Sequence, residues 1–417
     1  MPVILGGPHA SLYPDELVEE HLGDWIFVGN ADPSLPSRLH DIKEESRSVV
    51  IKDPPPDIHE VPKADFALAW GGYSRMIYRP IQMSRRCPYA CSFCNVKCIT
   101  TRKIQYRDVS MCLDEIQDDV RRNPGITLIR IVDDCPTFDL PRFKQFLRDS
   151  IARSINRQLH IDNLRGDGVD DEMLDLLKVI GVDHRCVGVE SGNHKIFNLV
   201  NKGETLDQII ESAQMIKRHG FRLYTCFIIG LPGATPETDM DSIRLVRRLR
   251  PNWVYWCLFQ PQKGTKAREW FEHHGTVSEE EGKTGLSGLN LSATKAPCAS
   301  PDYPAAERSR MQVMALLMTG WYLLNPLWLV RMARTISRYR LWKAFCLAFA
   351  VIPINKDHGI FRLLARLDRF TRRILSGNFL GIHPHIVETL LPRPRIAIDR
   401  DHRRRRGKRG VPLFVHI

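Results

Sequence analysis

The chain has 417 residues, 43% of them apolar and 26% charged, a composition that folds and buries a core and excludes a disordered or fibrous protein. The length exceeds the usual reach of one core and predicts a catalytic domain of barrel size with flanking pieces. A net charge of +12 suits an anionic small molecule, an acidic partner or a membrane surface, and selects none of them.

Taken in chain order, the start Met1-Pro-Val-Ile-Leu-Gly-Gly7 has neither the basic nor the long apolar region of a secretory leader, so a cytoplasmic protein is expected. The 11 cysteines are then read as reduced thiols, metal ligands or catalytic groups rather than disulfides. Apolar runs at Val3-Ile-Leu5 and Trp25-Ile-Phe-Val28 read as the last strand-turn-helix units of an α/β domain over residues 1–53. Pro54, Pro55 and Pro56 open a linker over 54–78.

From residue 79 the pattern alternates. Strand-type runs at 79–84, 127–133, 159–164, 184–189, 222–229 and 253–259 are separated by helical patterns at 109–122, 141–154, 170–180, 206–219 and 237–249. Ile209, Ile210, Ala213 and Ile216 share a face at the 3.6 period, Thr205 is a good N-cap and Gly220 a good C-terminal stop. Such alternation implies right-handed crossovers and a parallel sheet. An α/β fold with a partial (β/α)6 barrel over 79–295 is expected, and an open doubly wound sheet is its main rival. Either one puts the working residues at the C-terminal strand ends, which here carry Asp133, Asp134, Arg165, Glu190, the turn Gly230-Leu-Pro-Gly233 and Gln260.

Residues 300–395 read as a helical region. The uncharged stretch Met311 to Val330 is long enough to span a bilayer, but Gln312, Thr319, Gly320, Asn325 and Pro326 interrupt it and favour a buried helical pair. Trp321, Trp328 and Trp342 with Arg331, Arg334 and Arg338 keep peripheral membrane contact open. The tail over 396–417, with Arg403 to Arg406, Lys408 and Arg409, reads as a solvated run of like charge. No aromatic stacking platform accompanies it, so no nucleic-acid partner is expected.

The chemistry concentrates just after the first strand of the barrel, in Arg86-Cys-Pro-Tyr-Ala-Cys-Ser-Phe-Cys-Asn95. Three thiolates in eight residues on a loop can reach three corners of one iron-sulfur cube and leave the fourth iron without a protein ligand. A structural zinc site needs four closed ligands, and Cys98 could complete one.

This Cys87-x3-Cys91-x2-Cys94 spacing, with the aromatic Phe93 before the last cysteine, resembles the signature of the radical S-adenosylmethionine (SAM) superfamily. The resemblance implies that the three cysteines hold a 4Fe-4S cluster and that SAM chelates its free iron. Reductive cleavage of SAM would then give a 5′-deoxyadenosyl radical for C–H activation of a small-molecule or lipid-like substrate. Flavodoxin or ferredoxin would be the electron donor. Arg165-x-Asp167-x-Val169-Asp-Asp-Glu172, Val187-Gly-Val-Glu-Ser-Gly192, Asn201-Lys-Gly203, Ile229-Gly-Leu-Pro-Gly233 and Pro261-x-x-Gly264-Thr265 are similar to segments of its cobalamin-binding-domain branch, the anaerobic cyclase and C-methyltransferase type. On that likeness Glu190 and Asp133 are candidate SAM contacts, Arg165 a clamp for the SAM carboxylate, and Gly230 and Gly233 a backbone approach to adenine. An ion pair between Glu190 and Arg165 is the competing reading of those two residues.

The N-terminal part departs from that branch. Leu5-Gly-Gly-Pro-His-Ala-Ser11 resembles the late segment of its cobalamin domain, but the earlier histidine-bearing loop is missing and Asn30-Ala-Asp-Pro-Ser34 replaces an expected Gly-Glu-Gly-Glu. The chain so begins on what should be an interior strand, with one edge lacking its neighbours. Cobalamin binding by this chain alone is therefore not expected. A cobalamin-dependent methyltransferase and a non-catalytic remnant remain the alternatives.

Overall fold

The computed structural model describes residues 2–65, 78–99, 103–278, 296–323 and 414–416, apart from positions 33, 44, 46, 53, 55, 62, 156, 162 and 163. The expected basic tail up to residue 413, most of the helical region and the last seven residues of the uncharged stretch lie outside the described residues.

The N-terminal segment is a small parallel sheet with helices. Strand β1 (Ile4–Gly6) runs into α1 (Gly7–Leu12) and α2 (Pro14–Glu19), β2 (Trp25–Val28) into α3 (Ser34–Arg38), and β3 (Val49–Lys52) completes the order β1-β2-β3. Alternation divides its apolar residues between two faces: Leu5 and Ile26 pack with Ala10 and Leu17, while Ile4, Trp25 and Phe27 form a second cluster. The edge that the sequence leaves open at β1 is paired, in parallel, with Phe414–His416. That pairing satisfies backbone groups that would otherwise face outward along the strand.

The barrel starts at β4 (Tyr78–Ile81), followed by the two-residue strands β5 (Ser84–Arg85) and β6 (Gln105–Tyr106), which pair antiparallel, and a short α4 (Val96–Ile99) between them. Its remaining strands are β7 (Leu128–Ile131), β8 (Gln158–Ile161), β9 (His184–Glu190), β10 (Arg222–Ile229) and β11 (Trp253–Leu258). Two parallel triplets result, β4-β7-β8 and β9-β10-β11, joined by a parallel bridge between Leu164 and Val187. Six parallel strands in that order form the partial barrel expected from the alternation, and the doubly wound rival is set aside.

Each crossover helix is started by a side chain that caps it. Asp108, Asp139, Asp170, Asn193, Thr205, Thr235 and Thr265 each accept from the backbone N–H three residues on, at the heads of α5 (Val109–Arg122), α6 (Leu140–Ala152), α7 (Asp171–Val179), α8 (His194–Val200), α9 (Leu206–Arg218), α10 (Pro236–Leu249) and α11 (Lys266–His274). Thr205 and Gln208 form a full capping box. Gly181 and Gly220, at φ +86° and +79°, stop α7 and α9 in the left-handed conformation that glycine adopts freely.

On β10 the residues Leu223, Thr225, Phe227 and Ile229 are buried toward the helices, and Tyr224, Cys226 and Ile228 alternate with them on the lumen side. The lumen face also carries His184 and Cys186 of β9 and Tyr255 and Cys257 of β11, with Cys226 and Cys257 sulfurs 3.9 Å apart. A final helix, Ala305–Leu323, packs on the outer side of β11 and α10. There Trp256 is fully buried, stacks on Phe227 at 4.9 Å and donates from Nε1 to Thr319 at 2.9 Å, while Gln312 donates to the Trp256 carbonyl. Among the described residues no helix is long and apolar enough to cross a membrane.

Candidate active site at the strand ends

The three cysteines of the motif lie on the loop after β5, partly buried, with free thiols. Little regular structure holds this loop, so side chains do. Asp133, past the end of β7, accepts from Met83 N at 2.7 Å and Ser84 Oγ at 2.6 Å, and Asp134 accepts from Arg86 N at 3.0 Å. Farther along, Ser92 N donates to the Val200 carbonyl at 2.7 Å, Ala267 N donates to the Ser92 carbonyl at 3.0 Å and Asn201 Nδ2 donates to the Ala90 carbonyl at 3.2 Å. The loop is thereby gripped by β7, by the end of α8 and by the start of α11. Arg86, just before Cys87, sits at φ +78°, a conformation that costs a non-glycine residue energy and persists only where surrounding bonds fix it.

The thiols are not equivalent. Cys135 donates a hydrogen bond to Cys87 and brings its pKa down to about 7, which favours the thiolate that a metal needs. Burial pushes Cys91 up to about 12 and raises Cys94 as well. Cys98 turns away and donates to the Gly264 carbonyl at 3.0 Å. Among the described residues no group of three or more Cys, His, Asp or Glu side chains is arranged to hold one metal ion.

Facing the loop is a buried ionic ladder. Glu190 ends β9 at φ +63°, where the pairing with β10 shifts register so that Phe227 stands opposite it. Its carboxylate meets Lys202 Nζ at 3.2 Å, and Lys202 also meets Glu204 at 3.2 Å and donates to the Gly188 carbonyl. Burial alone would lower the pKa of Lys202, but Glu190 and Glu204 outweigh it and raise the value. Arg165 holds Asp167 through two bonds, at 2.9 and 2.7 Å, and donates to the Lys202 carbonyl at 2.6 Å. Its guanidinium carbon lies 3.4 Å from the centre of the Tyr89 ring, which comes from the cysteine loop. Gly203 makes room for that ring: a Cβ there would stand 3.1 Å from Tyr89 Cδ1.

These contacts bear on the expected ion pair. Glu190 and Arg165 do not pair with each other; each has its own partner, Lys202 and Asp167. Asp133 is buried beneath the loop with both oxygens on residues 83 and 84, and burial raises its pKa to about 6. Phe93 packs against the main core. Gly230 and Gly233, at φ +77° and +74°, form the turn after β10 at the same end of the sheet. Cys135, Tyr89, Asp167, Lys202 and Glu204 were not singled out as site residues. Asp167 and Lys202 stand inside motifs already quoted, but nothing local in the sequence shows that Cys135 reaches Cys87 or that Tyr89 reaches Arg165.

Residues 81–246 match the model of the Radical SAM superfamily. The chain is 25% identical over 287 residues to the anaerobic magnesium-protoporphyrin IX monomethyl ester cyclase of Rubrivivax gelatinosus, covering 62% of this chain and 51% of that protein. It is also 25% identical over 280 residues to the hopanoid C-3 methylase of Methylococcus capsulatus, covering 62% of this chain and 50% of that protein. The chain thus spans about half the length of these relatives. Among solved structures, the radical SAM methyltransferase TsrM of Kitasatospora setae superposes with a TM-score of 0.55 at 17% identity, over 78% of this chain and 71% of that one. The cobalamin-dependent enzyme OxsB gives 0.51 at 14% identity, over 88% and 62%. At such identities the likeness is one of fold.

Proposed function

Residues 81–246 are a Radical SAM domain, and from that premise we propose that this chain reductively cleaves SAM at a 4Fe-4S cluster to activate a C–H bond of a small-molecule substrate. The observation that carries the reading is the set of three free thiols on one loop at the open end of the barrel, facing the Arg165 and Glu190 strand ends. The chemistry of the donor set fits the cluster: three cysteines within eight residues could each take one corner of a cube, and Cys98, the candidate closing ligand, is turned to Gly264. When bound, the cluster supplies the electron that splits the sulfonium and so yields a carbon radical.

The residues have separable tasks. Cys87, Cys91 and Cys94 hold the cluster, and Asp133 and Asp134 hold the main chain that carries Cys87. Lys202 fixes Glu190 by an ion pair beside the space where the SAM ribose or amino group would sit, and Glu204 fixes Lys202 in turn, so the Glu190 carboxylate can accept hydrogen bonds there. Arg165 is fixed by Asp167 and Tyr89, which ties the cysteine loop to the strand end and leaves the guanidinium charge near the SAM carboxylate. The missing side chains of Gly230 and Gly233 make room for Arg308 and Leu199, so the turn would meet adenine through its main chain, with Phe93 behind the cysteines. The lumen with Tyr224, Tyr255, Cys226 and Cys257 is where a substrate would lie, shielded from water as radical chemistry requires.

An external reductant is part of this reading, and an acidic flavodoxin or ferredoxin suits a chain of net charge +12. The test is anaerobic incubation of the iron- and sulfide-loaded protein with SAM and a strong reductant. The expected products are methionine and 5′-deoxyadenosine, lost in Cys94→Ala. No cleavage in the loaded wild type would overturn the proposal.

A further inference from the structure

The turn Gly230-Leu-Pro-Gly233 is held from outside the barrel. Arg308, on the Ala305–Leu323 helix, donates from Nη1 to the Gly230 carbonyl at 2.5 Å, from Nε to the Tyr303 carbonyl at 2.8 Å and from Nη2 to Ser300 Oγ at 3.1 Å. The main-chain N–H of the same residue is held too: Gly230 N donates to Asp239 Oδ2 at 3.0 Å, and Tyr303 OH donates to that oxygen at 2.9 Å. Arg308 is 1% exposed and lies against the rings of Phe271 and Tyr303, 4.8 and 4.6 Å from their centres. A Cβ on residue 230 would stand 2.7 Å from its Nη1, so the arginine and the glycine occupy one fitted space.

Its hydrogen-bond acceptors are neutral: two carbonyls, a hydroxyl and the Cys298 sulfur. Burying a guanidinium on neutral acceptors, with Asp239 acting on it only through the field, is a poor source of stability, because desolvating the charge costs more than such bonds return. What the arrangement does supply is geometry. A residue 78 positions away in sequence fixes the orientation of the Gly230 peptide at the strand end.

We infer that Arg308, with Tyr303 and Asp239 as its partners, is a positioning residue that sets the main chain of the Gly230-Leu-Pro-Gly233 turn for the nucleoside of SAM. The inference rests on the proposed SAM site and extends it beyond the matched domain, to residues 298–308. The support for one wall of the site is thus built from the segment that follows the barrel.

The test uses the full chain, loaded with iron and sulfide, reduced, and titrated with SAM while the EPR signal of the cluster is followed. In Arg308→Met the signal without SAM should match wild type, whereas half-saturation should need about tenfold more SAM, the worth of one hydrogen bond to a charged donor. Arg308→Lys, which keeps a donor toward the Gly230 carbonyl, should recover part of that loss. Tyr303→Phe should shift half-saturation by about threefold. Phe146→Leu, a core change on α6, should lower stability and leave SAM affinity alone. Unchanged half-saturation in Arg308→Met, or an equal shift in Phe146→Leu, overturns the inference. If Arg308→Met does not fold, Tyr303→Phe decides, and wild-type affinity there overturns it. A wild-type signal indifferent to SAM would instead sink the proposed SAM site itself, and this inference with it, before any variant is compared.

Discussion

The two triplets of the barrel hold their site residues by opposite means. The cysteine loop, which follows β4 and β5, hangs on a few separate hydrogen bonds of Asp133, Asp134, Ser92 and Asn201, nearly all to or from main-chain atoms. In the β9-β10-β11 half, longer strands carry the buried charges Glu190, Lys202 and Glu204, with Lys202 between the two carboxylates, while Arg165, past the end of β8, donates to the Lys202 carbonyl and lies 4.0 Å from Glu204. The difference teaches where each half is vulnerable. Separate hydrogen bonds to a loop can be lost one at a time, whereas a buried charge that loses its ion-pair partner is stranded in a low-dielectric site.

The sharpest way to break this comparison is Lys202→Met, which strips Glu190 of its cation and leaves Glu204 only Arg165, 4.0 Å away. A loss of about 3–5 kcal/mol in denaturant unfolding is expected; a loss near zero would mean that the ladder is wet and the halves are alike.

A second test uses pH. Burial raises the carboxyl of Asp239 to about 7 and that of Asp133 to about 6, against about 4 in an unfolded chain. Between those values the folded state binds more protons than the unfolded one, so stability falls as pH rises, by on the order of 1.4 kcal/mol per pH unit for each group. Asp239→Asn should flatten the slope up to about pH 7, and Asp133→Asn only up to about pH 6. Thermal midpoints from pH 4 to pH 8 read both, and parallel curves for wild type and Asp239→Asn would contradict the assignment.

Smaller effects sharpen the contrast. Asp133→Ala should cost about 1–3 kcal/mol by unsatisfying Met83 N and Ser84 Oγ, and should lower the iron bound per chain more than it lowers stability. Tyr89→Leu removes the stacking of Arg165 on the loop and should cost about 0.5–1 kcal/mol, measured by the same unfolding assay. A larger loss there would show that the ring, and not the ion pair with Asp167, fixes Arg165.

Much of the fold was legible because period and capping agree locally. Thr205 with Gln208 and Gly220 bound α9 where the sequence puts it, and six apolar runs gave six parallel strands. The cysteine motif was legible for the same reason: its chemistry is contained in eight consecutive residues. The short α8 between Glu190 and Lys202 was not, since seven residues carry too little periodicity to stand out. Contacts across the barrel were hidden more deeply. Asp133 reads as a free strand-end acid until the chain folds residues 83 and 84 onto it, and Arg308 sits in an ordinary helical pattern whose meaning lies in Gly230.

The most direct test of the account is EPR of the anaerobically reconstituted, reduced chain, with and without SAM, beside Cys91→Ala. The account predicts a reduced 4Fe-4S signal in the wild type that shifts when SAM is added and is absent in the variant. A signal that persists in Cys91→Ala, or that ignores SAM, would contradict it.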